Sequence, residues 1–110
     1  MSVTAKPLVG SGYAASSETT IYTSTGARTI LDKFTVYNSD TAPITYVVKL
    51  VPSAGTAGLS HVIVSKAVAA GETYTLPEVI GHVLEPGGFI SEVASTASKL
   101  VRRVSGREVT

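Results

Sequence analysis

Apolar and polar residues alternate along much of this chain. Across residues 42–51, Ile44, Tyr46, Val48 and Leu50 share one parity, and Thr45 and Lys49 take the other. A period of two belongs to a strand with one face in a core. Residues 29–37 repeat it, with Phe34 and Val36 on one side. Asn38-Ser39-Asp40-Thr41 between them is a cluster of turn formers, which predicts an antiparallel hairpin. Shorter strands are predicted over residues 19–23, 61–65, 73–76 and 89–93, a longer one over 99–109, and a weaker edge strand over 4–9.

Glycine and proline set the boundaries. Residues 52–58 read as a flexible loop of small side chains, and Gly71 marks a turn. Pro86-Gly87 fits a type II turn, whose second central residue needs positive φ. Residues 77–82 fit one helical turn with Pro77 at its first position. Gly106, inside the last strand, reads as a bulge. About seven or eight short strands with frequent turns predict an all-β, antiparallel β-sandwich, Ig-like or jelly-roll. No connection is long and helical enough for a parallel α/β fold. The chain reads as one domain over 1–110, with residues 1–13 available as an N-terminal arm reaching a neighbour.

Composition narrows the surface. Charged residues are 15% of the chain and apolar ones 44%, with a mean hydropathy of +0.29. Sparse charge suits either a neutral Ser/Thr-rich surface or one covered by other subunits. A net charge of +1 argues against direct nucleic-acid binding as the main job. The sequence has no cysteine, which removes disulfides and thiolate chemistry. Neither a signal-peptide h-region nor a long apolar run is present, so synthesis in the cytoplasm without membrane insertion is expected.

No catalytic, metal or cofactor-binding residue is assigned. His61 and His82 fall in separate elements without ligand spacing. Glu78 could meet His82 across a helical turn, a pairing common in purely structural settings. Of Asp32, Asp40, Glu72, Glu78, Glu85, Glu92 and Glu108, most fall in or beside predicted turns, and none forms an identifiable acid–base pair. No G-x-S-x-G elbow occurs, and residues 55–60 lack the lysine of a phosphate-binding loop.

The densest charge is Lys99, Arg102, Arg103 and Arg107. On a strand, Lys99, Arg103 and Arg107 share one face, and Arg102 points the other way with Leu100 and Val104. An inward arginine is accounted for by snorkelling at the rim, by a bulge, or by a neighbouring subunit's carboxylate. Tyr13, Tyr22 and Tyr37 are further candidates for a subunit interface, whereas Tyr46 and Tyr74 read as core or rim.

Four segments carry a resemblance: Ile44-Thr45-Tyr46-Val47-Val48-Lys49-Leu50-Val51-Pro52-Ser53-Ala54-Gly55-Thr56-Ala57, Ala69-Ala70-Gly71-Glu72-Thr73-Tyr74, Gly81-His82-Val83-Leu84-Glu85-Pro86-Gly87 and Val104-Ser105-Gly106-Arg107-Glu108-Val109. Together the chain from about Thr19 onward resembles small β-sandwich virion structural proteins of tailed bacteriophages. The resemblance implies a sandwich that assembles symmetrically, often as a trimer, on a capsid or in a tail. The implied partners are the major capsid protein or other virion proteins. Gly71, Pro86, Gly87 and Gly106 carry over as structural turn positions, and no catalytic residue does. A head decoration or cementing protein is the leading expectation. A neck, tail-tip or fibre-attachment component and a carbohydrate-binding adhesion module are the alternatives.

Overall fold

The computed structural model describes residues 2–110, and its strands are β1 (Val3–Tyr13), β2 (Thr19–Thr23), β3 (Arg28–Asn38), β4 (Ile44–Val51), β5 (Val62–Val68), β6 (Thr73–Tyr74), β7 (Val83–Leu84), β8 (Phe89–Ala94) and β9 (Leu100–Val109). One antiparallel sheet runs β1-β9-β3-β6, with β7 paired to the other end of β3. The second runs β2-β8-β4-β5. Among the described residues the only helical element is a turn of 3-10 helix at Leu59–His61, and no helix is long and apolar enough to cross a membrane.

Pairing proceeds from the ends of the chain to its middle: β1 with β9, β2 with β8, β3 with β7 and β6, β4 with β5. The chain is thus one long antiparallel hairpin, rolled so that β9 also lies against β3 and β8 against β4. That nesting makes the all-β sandwich a jelly roll. An Ig-like sandwich keeps its first two strands in one sheet, whereas here β1 and β2 lie in different sheets.

The predicted hairpin between β3 and β4 does not form, because the chain crosses from one sheet to the other between them. Buried Asn38 fixes the crossing: its Nδ2 donates to the carbonyls of Ala42 at 2.9 Å and Val68 at 3.0 Å, and its Oδ1 accepts the Asp40 N–H at 2.8 Å. Turn formers specify a reversal but not which sheet receives the next strand. The edge strand expected over 4–9 forms and is longer: most of the expected arm over 1–13 is β1, laid along β9 of the same chain. Residue 1 lies outside the described residues.

Leu31, Phe34 and Val36 of one sheet face Ile44, Tyr46, Val48 and Ile90 of the other, with Phe34 edge-on to Tyr46 at 6.1 Å. Leu50 stays half-buried against the core, and Val51, of the opposite parity, is fully buried beside Gly55 of the following loop. The register shift after Val48 lies in β5, where Ile63 is the extra residue, and β4 keeps step with β8. Pro86-Gly87 makes the predicted turn: Gly87 has φ 90° and the Gly88 N–H donates to the Glu85 carbonyl at 2.9 Å. Gly71 also takes positive φ, at 73°. Residues 77–82 form successive turns rather than a helix, beginning after Leu76 at φ 40°.

Gly106 has a different reason from the expected one. The extra residues lie in its neighbours, between Pro7 and Val9 of β1 and between Leu31 and Lys33 of β3. A Cβ at Gly106 would run into the Ile30 carbonyl oxygen and the Leu8 side chain. The central strand therefore stays regular and gives up its side chain, and both flanking strands bulge toward it.

Candidate interaction face

Two basic or aromatic candidates are consumed inside the fold. Arg102 does point inward, and its partner is Glu92 of the opposing sheet, 3.1 Å from Nε, rather than a neighbour's carboxylate. Glu92 is fully buried and also accepts the Tyr46 hydroxyl at 2.6 Å and the Ala15 N–H at 3.0 Å. Burial and the adjoining Glu92 carboxylate push the Tyr46 phenol well above its ordinary pKa. Gly12 leaves room beside the guanidinium, where a Cβ would lie 3.3 Å from Nη1. Tyr22, also expected at an interface, is half-buried and donates to Glu108, with Thr29 2.8 Å away. The Tyr22 and Lys6 hydrogen bonds hold Glu108 below the usual carboxylate range despite some desolvation.

Of the nine Lys and Arg side chains, six are in ion pairs with this chain's own carboxylates. Arg107 grips Asp32 through two hydrogen bonds, of 2.9 and 3.0 Å, across β9 and β3. Arg28 meets Glu85, Lys6 meets Glu108, Lys49 meets Glu18 and Lys66 meets Glu72. Burial raises the Glu18 pKa, but hydrogen bonds from Lys49 and Ser91 and the Lys49 charge outweigh it and leave a net lowering. Lys33, Lys99 and Arg103 remain with no carboxylate in ion-pair range among the described residues.

Those three belong to one region. In β9 the odd positions face outward, as do Lys33, Thr35 and Tyr37 of β3. Strand register sets Tyr13 and Tyr37 on either side of Val101, Arg103 beside Thr35, and Ser105 beside Lys33. The result is an open hollow of about 380 Å³ whose polar lining includes Ser11, Lys33, Thr35, Tyr37, Arg103 and Ser105. Arg103 Nη1 donates to Ser11 Oγ at 3.3 Å. Tyr13 is 57% exposed and Tyr37 44%, and neither phenol has a hydrogen-bond partner among the described residues. Lys99 stands just before β9, its carbonyl held by the N–H and hydroxyl of Ser39 and its side chain exposed. No carboxylate or amide side chain lines the hollow. Its cations can only donate, so it is built to take an acceptor-rich, negatively charged surface.

The other end of the same face is aliphatic. Ile30, Val83 and Val109 line a dish of about 350 Å³ rimmed by the Arg28–Glu85 pair. Val83 is 49% exposed, as is Val3 at 56% on the strand next to Val109.

The remaining candidates stand apart. His61 lies in the 3-10 turn and His82 is exposed, and no group of three or more His, Asp or Glu gathers among the described residues. Glu78 binds backward to the Tyr74 hydroxyl, at 2.6 and 2.5 Å, rather than forward to His82. That hydrogen bond pushes the Tyr74 pKa up to about 12.

Lys33 is not among the sequence candidates, and Glu92 is there only as one of seven carboxylates with no identified partner. Parity gives only the face each takes, Lys33 out of phase with Phe34 and Glu92 in phase with Ile90 and Ala94, whereas register and sheet packing identify their neighbours. A scan of protein-family models and searches of curated proteins and of solved structures give no match to this chain.

Proposed function

We propose that this chain is a structural subunit of a tailed-phage particle, a decoration protein that docks one sheet face on the major capsid protein and stabilises the head. The observation that carries the reading is the open outer face of the β1-β9-β3 sheet. Tyrosines and unpaired cations occupy one of its ends and exposed aliphatic side chains the other. Exposed apolar and aromatic surface of this kind favours a covered state. Jelly rolls recur in capsid and lectin domains, a fold-level analogy that supports the reading without carrying it. The neutral aliphatic end suits contact with other copies, and a trimer is the expected order, as the sequence resemblance implies.

Copy number in purified particles tests this. Quantitative mass spectrometry and cryo-imaging should find many copies on the head lattice. A few copies at the neck or tail tip would replace decoration with the tail reading. Absence from particles together with binding on a glycan array would replace both with the adhesion reading.

A further inference from the structure

We infer that the Tyr13–Tyr37–Arg103–Lys33 end of the sheet face binds an extended acidic polypeptide segment of the partner protein. The inference takes up the assembly reading above and names the chemistry of the partner at that face.

Charge selects the sign. Every other Lys and Arg is neutralised within the chain, so the uncompensated positive charge of the fold is gathered here. Asp40, near this end, is engaged by the Thr41 N–H at 2.8 Å and makes no ion pair among the described residues. A second copy presenting the same end would set cations against cations, which excludes a symmetric self-contact.

Spacing selects the shape. Lys99 and Arg103 are four residues apart along one strand line, about 13 Å at the usual rise. Lys33 lies level with Ser105, about 7 Å further on and one strand over. Carboxylates on one side of an extended chain recur about every 7 Å, so residues i, i+4 and i+6 match the three cations. A sugar with one carboxylate would reach only one of them. Tyr13, Val101 and Tyr37 lie level across three strands and form an apolar floor. The two unpaired phenols are placed to donate to the segment's backbone carbonyls.

The test uses the full chain, ¹⁵N-labelled, titrated with a seven-residue peptide bearing Glu at positions 1, 5 and 7 and Thr or Val elsewhere. Sialyllactose and a heparin-derived hexasaccharide form separate arms. The peptide should shift the amide signals of Thr35, Tyr37, Val101 and Arg103, and binding should weaken as salt is raised. Lys33→Glu/Arg103→Glu should weaken it at least tenfold, and Lys33→Gln/Arg103→Gln should do so less. Both side chains are on the surface, so dispersed spectra verify that the variants fold. No shift at these amides, unchanged affinity in the Glu variant, or tighter binding of either glycan would overturn the inference. Peptide binding by a protein absent from particles would defeat the phage reading alone. Abundance on heads without peptide binding would defeat this inference alone.

Discussion

Replacing Glu92 with leucine strands three donors at once. The Tyr46 hydroxyl at 2.6 Å, the Ala15 N–H at 3.0 Å and Arg102 Nε at 3.1 Å all end on a carboxylate with no solvent exposure. A buried donor left unpaired costs about 1–3 kcal/mol, and breaking one side of a buried ion pair costs about 3–5 kcal/mol. Arg102 keeps some solvent contact and a 3.3 Å hydrogen bond to the Gly10 carbonyl, which relieves part of its loss. Glu92→Leu should therefore destabilise the domain by about 4–6 kcal/mol, comparable to the total stability of roughly 5–15 kcal/mol for a domain. Arg102→Met leaves the carboxylate its two neutral donors and should cost about 3 kcal/mol. Removing all three side-chain partners together, as Glu92→Leu/Arg102→Met/Tyr46→Phe, should fall within about 2 kcal/mol of wild type. Equilibrium urea unfolding gives these values, and the Glu92–Arg102 cycle gives the coupling between the pair. A cost below about 1 kcal/mol for Glu92→Leu would mean that the stranded donors find other partners, and the reasoning would fail.

Gly106→Ala should cost about 2 kcal/mol or more in the same assay, because the new methyl meets the Ile30 carbonyl from a central strand that cannot move aside. Lowering the pH should destabilise the fold, measured as Tm. Glu18, Glu78 and Glu108 are held below their ordinary value of 4.5, so their contribution is present above that pH and is lost as pH falls through the depressed values. At high pH the sign reverses in cause: Tyr22, Tyr46 and Tyr74 are raised above 10, so stability falls as pH rises past 10 and, for Tyr74, through about 12. Tyrosinate absorbance against pH reads that loss. Lys33→Thr/Arg103→Thr should change unfolding free energy by no more than about 0.5 kcal/mol, since neither cation has an ion-pair partner to lose.

Period-two patterning made the strands and the sandwich legible, because alternation depends only on which face is buried. It could not place β3 and β4 in separate sheets, since that depends on Asn38 reaching Val68 thirty residues later. Gly106 was visible as an interruption, but its reason lies in Ile30 and Leu8, which only the register brings near. The inward parity of Arg102 was legible from Leu100 and Val104, and so was the need for a partner. The partner itself was not, because β8 and β9 lie in different sheets and face each other across the core. The candidate face was half legible: Tyr13, Tyr37, Arg103 and Lys99 follow from parity, whereas Lys33 joins them only through its register with Ser105.

Most of the ion pairs join segments that backbone hydrogen bonding does not tie together, or brace the register where strands do pair. Arg102–Glu92 spans the two sheets, Lys6–Glu108 braces β1 on β9, Arg107–Asp32 clamps the bulge in β3, and Lys49–Glu18 ties β4 to the segment entering β2. Charge in this fold is therefore spent on joints. Arg103 and Lys33 stand apart from that pattern, with neutral Thr35 and Ser105 as their cross-strand neighbours. Two cations held close on one face, with nothing opposite them, add repulsion to the folded state rather than stability. A sequence otherwise so sparing of charge has no folding use for them, and the binding of an acidic segment inferred above would give them one.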